Sequence, residues 1–279
     1  MKNIFKLSFL VLLSFIFSKC GQEETIKIQA LSELEVKSIA LTHNEALNQV
    51  FLGLKAQKTN GQLNSKNFET IVNSELGDVY SKHYANEVDY QKSADYFSQN
   101  EVSRYTDNTS GSVYRTSSGL TPIESVIEEY KTYLSSQQKQ LLIECDKALE
   151  NSLENPGLAK SGLETIQTTA KQSLSQQDAQ VIIIATEIGK ASISYWKENL
   201  NEWQDLIAPA SAQGKTAGWF SGKEVVGADV AGGVGGAVGA AVVNVIPGAG
   251  QVAYGGAILG GAAGASAADA VMQVWNHFF

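Results

Sequence analysis

The side chains to test first for chemistry are three histidines, two cysteines and the acids near them. His43, Asn44 and Glu45 are the densest polar trio, but neighbours on a helix point roughly 100° apart and diverge. The pattern predicts a capped or half-exposed His43 rather than a catalytic base. His83 lies on another expected helix, and His277 sits near the C-terminus. Neither His-Glu-x-x-His nor Cys-x-x-Cys spacing occurs, so no metal site and no cofactor is expected. Gly214-Lys215-Thr216 has the ending of a phosphate-binding loop. The glycine needed five residues earlier is replaced by Pro209, and no strand comes before it. No Gly-x-Ser-x-Gly elbow is present. Glu124, Glu128 and Glu129 follow a helix cap and complement its dipole. Cys145 falls on an apolar stripe and is expected to pack as a small hydrophobe. No catalytic residue is expected.

The elements that carry these residues read as helices. Thr121-Pro122-Ile123-Glu124 is a capping box with proline in the first helical position. Ile123, Ile127, Tyr130, Leu134, Leu141, Cys145 and Leu149 then keep a helical period, in one run that stops at Asn155-Pro156-Gly157. A shorter helix is expected from Ser161, with Leu163, Ile166, Ala170 and Leu174 inward. A long central helix runs from Ser175 to Ile207 through Val181, Ile188, Tyr195, Trp196, Leu200 and Trp203. Upstream, 31–58 reads as a helix with Leu34, Leu47, Val50, Phe51 and Leu54 apolar. Residues 65–105 read as one or two more, centred on Phe68-Ile71-Val72 and Val88-Tyr96-Phe97. No alternating strand pattern occurs. The expectation is an all-α protein, with a helical bundle at 30–207, a linker at 208–223 and a Gly/Ala-rich helical hairpin at 224–275.

The N-terminus carries a different signal. Lys2 and Lys6 precede an apolar run from Leu7 to Phe17, the pattern of a secretory signal and too short for a comfortable membrane span. The run ends at Phe17-Ser18-Lys19-Cys20. A cysteine at that point resembles the lipobox of type II signal peptides, and the relaxed Phe17 and Lys19 resemble those of Bacteroidota lipoproteins. Gly21-Gln22-Glu23-Glu24 resembles the acidic surface-export signal of that phylum. The resemblance implies cleavage after residue 19, acylation of Cys20, a tether over 20–29, and anchoring in the cell envelope, at the outer membrane. The alternative is an uncleaved membrane anchor. Acylation would leave Cys145 without an intramolecular disulfide partner. The net charge of −8 would fall to about −11 on losing Lys2, Lys6 and Lys19. Such an acidic surface argues against nucleic acid as a partner.

The C-terminal fifty residues are the other distinctive part. Val225–Ile246 is built mainly of Gly, Ala and Val with Asp229 its only charge, Pro247-Gly248-Ala249-Gly250 is a turn, and Gln251–Val274 is similarly rich in Gly and Ala with Asp269 its only charge. Gly232/Gly236 and Gly235/Gly239 form small-xxx-small pairs, and Gly256, Gly260 and Gly264 form a row. Glycine costs ~1 kcal/mol against alanine in a water-exposed helix, so these rows demand close packing, membrane or disorder. Each arm would be about 30 Å long, the thickness of a bilayer core. Asp229 and Asp269 would emerge together at the open end, flanked by Trp219, Phe220 and Trp275.

This segment resembles the glycine-zipper hairpins of bacterial envelope proteins and the Gly/Ala-rich helices of class II bacteriocins, which implies membrane insertion and, in the second case, permeabilisation. The expected function is a membrane-active envelope lipoprotein whose partners are lipid, through Cys20, and a second copy through the glycine rows. The alternative is a non-catalytic interaction or structural lipoprotein with the hairpin packed on the bundle.

Overall fold

Three hydroxyl-x-x-Glu/Gln patterns set helix starts. Ser32 with Glu35, Thr121 with Glu124 and Ser135 with Gln138 each form a reciprocal capping box, satisfying backbone N–H groups that a helix end leaves without partners. The computed structural model describes residues 31–61, 67–106, 119–207, 221–245 and 253–278. Their helices are α1 (Glu33–Thr59), α2 (Phe68–His83), α3 (Val88–Thr106), α4 (Pro122–Glu129), α5 (Ser136–Ala148), α6 (Pro156–Ser173), α7 (Gln176–Ile207), α8 (Gly222–Val245) and α9 (Tyr254–Phe278). No strand occurs among the described residues, and the fold is all-α.

Two boundaries differ from the sequence expectation. The run expected to continue from Thr121 to Asn155 breaks after Glu129, because Ser135 and Gln138 cap a new helix. Asn155-Pro156-Gly157, expected as a stop, instead opens α6 with Pro156 in its first turn, where a missing N–H costs nothing. Leu34 lies off the inward face of α1 and is 79% exposed, and Tyr96 also points outward.

The two Gly/Ala-rich helices form the centre. α8 and α9 pack on each other along their length; α9 also lies against α3, α1 and α2, while α8 lies against α7 and α4. α5 and α6 complete the outside over α7. A single apolar core runs from Val36 on α1 to Val271 on α9, so bundle and hairpin share one interior. The surrounding helices are amphipathic. From Val225 to Ala241 no residue of α8 is exposed. Cys20, the signal segment, the linker at 208–220 with Trp219 and Phe220, and the turn at Pro247 lie outside the described residues.

Candidate functional site

One carboxylate lies in the middle of this apolar centre. Asp229, on the second turn of α8, is fully buried and accepts from three donors. His43 Nε2 on α1 is 2.6 Å from Oδ1; on α7, Ser192 Oγ is 2.5 Å and Trp196 Nε1 3.0 Å from Oδ2. His43 is equally buried and turns Nδ1 to Asn44 Oδ1 at 3.0 Å. The Asn44 amide nitrogen donates to the Ala191 carbonyl at 3.1 Å, which fixes its oxygen toward the ring. Both imidazole nitrogens therefore face side-chain oxygens. Trp196 packs on Trp203, whose Nε1 donates to Tyr195 Oη, and Phe51 closes the aromatic group from α1.

This placement corrects the sequence reading of both residues. His43 is neither half-exposed nor a local cap. It belongs to the inward row Val36, Ala40, Leu47, Val50 and Leu54. Asp229 and Asp269, expected at a water-facing end, are buried because α1, α3 and α7 cover the hairpin. Asp269 accepts from Gln273 Nε2 at 2.6 Å. Gln273 also exchanges bonds with the backbone of Ser221, clipping the start of α8 to α9.

The glycine rows face different partners. A Cβ on Gly232 or Gly236 would strike the carbonyls of Gly261 and Ala257, so this pair forms the seam between α8 and α9. Gly256, Gly260 and Gly264 lie instead on the carbonyls of Tyr90, Ala94 and Ser98 in α3. Gly235 and Gly239 face Tyr130, with Val126 beside the first and Phe97 beside the second. At Gly235 a Cβ would meet only ordinary contacts, at 3.5 and 3.8 Å. Gly261, absent from the sequence-based rows, is the reciprocal partner of Gly232.

Serine, histidine and aspartate within one cluster suggest nucleophile activation, but the geometry is wrong for it. The Ser192 hydroxyl donates to the carboxylate and not to the imidazole, so His43 is not placed to take its proton. Glu45, next in sequence, points outward and accepts from Lys82 and His83; the Lys82 bond is the main cause holding its carboxyl below the usual range. Burial pushes the Cys145 thiol up to about 12, far from a reactive thiolate. Among the described residues no three His, Cys, Asp or Glu side chains gather as a metal site would need. Two open hollows on the surface, one at Lys147, Asn151 and Asn155 and one at Phe51, Lys58 and Glu202, include no hairpin residue.

No family model, curated protein or solved structure matches this chain. The site is a polar pin joining the apolar hairpin to α1 and α7.

Proposed function

We propose that this is a cell-envelope lipoprotein, acylated at Cys20, that keeps a membrane-active glycine hairpin in soluble form inside a helical carrier. The observation supporting this reading is the character of α8. Gly222–Val242 is 21 residues long and apolar enough to cross a membrane, about 31 Å at 1.5 Å per residue, and nearly all of it is enclosed. A helix apolar on every face belongs in a large core or in lipid. The lipid on Cys20 would hold this one within reach of a bilayer. The proposal is non-enzymatic and includes no nucleic acid or cofactor.

A second reading makes the hairpin a permanent core and the outer helices a binding surface. The glycine contacts on the α3 backbone favour it, since they are specific to this packing. Removing 221–279 does not separate the two, because it opens the shared core. The test uses residues 20–279 with Cys20→Ser, which keeps every described helix and prevents acylation. This protein is mixed with dye-loaded vesicles at ambient temperature and again while warmed through its unfolding midpoint. Flotation with dye release on opening supports the membrane reading; no flotation at either temperature favours the permanent core.

A further inference from the structure

We propose that the Asp229 cluster is an autoinhibitory latch, in which the bonds from His43, Ser192 and Trp196 hold α8 in the bundle and gate its access to a bilayer. The inference rests on the membrane reading of the hairpin.

Over Val225–Ala241, every residue of α8 except Asp229 is Gly, Ala or Val. Lipid tails are as apolar as those neighbours, so such contacts can be exchanged for lipid at little cost. A carboxylate's hydrogen bonds have no substitute in hydrocarbon. Asp229 is thus the point where the stored helix and a membrane helix differ most.

The origin of the donors matters as much. His43 comes from α1, and Ser192 and Trp196 come from α7. All three link the surrounding helices to the hairpin. The Asp269–Gln273–Ser221 link joins α9 to the start of α8 and can travel with the hairpin. The Asp229 bonds must break for α8 to leave. A buried cluster of hydrogen-bonded polar groups is also a poor way to gain stability, since apolar residues of similar volume often serve as well. It suits a contact that has to open as a unit.

The experiment compares Asp229→Asn with Leu142→Ala, both in residues 20–279 carrying Cys20→Ser. Leu142 is a fully buried core residue of α5, a helix that supplies no donor to the cluster. The two are compared at temperatures equally far below their own thermal midpoints. Flotation on phosphatidylethanolamine/phosphatidylglycerol vesicles is the readout. Asp229→Asn should float about tenfold more than Leu142→Ala, the scale of one lost charge-assisted hydrogen bond. Equal flotation would show that overall stability is the gate and would overturn the latch, leaving the membrane reading intact. If no variant floats, and the warmed parent does not either, the membrane reading falls and the latch with it. Should Asp229→Asn fail to fold, Ser192→Ala and Trp196→Phe each remove one donor, keep the carboxylate and are judged the same way.

Discussion

α8 and α9 draw on the same small residues, yet α8 is fastened to its neighbours by a carboxylate and α9 by glycines lying on the backbone of α3. The first attachment is local and directional: one group, three donors, two helices. The second is spread over three turns at Gly256, Gly260 and Gly264. A polar pin fails at once when any member is removed, because what remains is buried without its partner. A seam of backbone contacts fails by degrees, as each added atom pushes two helices apart. The two arms should therefore answer mutation differently.

The largest effect is expected at the pin. His43→Ala leaves Asp229 buried without its 2.6 Å donor and should cost ~3–5 kcal/mol in urea denaturation, as breaking a buried pair does. Replacing His43 and Asp229 together with leucine should recover part of that loss, since neither member of the pair is then left buried without the other. Recovery is only partial because Ser192 and Trp196 lose their acceptor. A cost for His43→Ala no larger than that of an ordinary surface substitution would remove the distinction between the arms.

That pin is also where sequence reasoning stopped short. Helix starts are local: Ser32, Thr121 and Ser135 each cap a backbone three residues away, although the sequence alone singles out only the Thr121 box. The apolar periods of α1 and α7, and the stripe that buries Cys145, are local too. His43 and Asp229 are 186 residues apart, and no periodicity reaches that far. Two signals did exist. His43 stands at the inward spacing between Ala40 and Leu47, and Asp229 is the single charge in an apolar helical run. Together they suggest a buried partner, but Ser192 and Trp196 have no signature separating them from other residues on α7. The glycine rows were legible as demands for close approach. Which backbone would meet each row depends on tertiary packing, and so does the match between Gly261 and Gly232.

The seam comes next in size. Gly260→Ala places a Cβ on the Ala94 carbonyl and should cost ~1–3 kcal/mol, with Gly236→Leu at the upper end or beyond. Gly235→Ala should do the reverse. Its added Cβ makes only ordinary contacts with Val126 and Tyr130, and alanine recovers up to ~1 kcal/mol of helix propensity. Thermal unfolding of the three variants side by side checks the sign at each position. If Gly235→Ala and Gly260→Ala shift the midpoint alike, the glycines act through composition, and the assignment of rows to partners is wrong.

The smallest effect probes the other side of α3, where it faces α2. Asp95 follows Ala94 on α3, is partly buried, and lies beside Gly77 of α2. Burial raises its pKa above the ordinary 3.8. An acid raised in the folded state costs stability while ionised, and that cost disappears as the folded protein takes up its proton. Asp95→Asn should therefore be slightly more stable than the parent at pH 7. The gain should shrink as pH falls through the raised value and be gone below 3.8, where the carboxyl is protonated folded or unfolded. Half exposure to water keeps the effect small. Thermal midpoints from pH 3 to pH 7 give the test, and a gain that stays constant with pH would show that desolvation of this carboxylate is not its source.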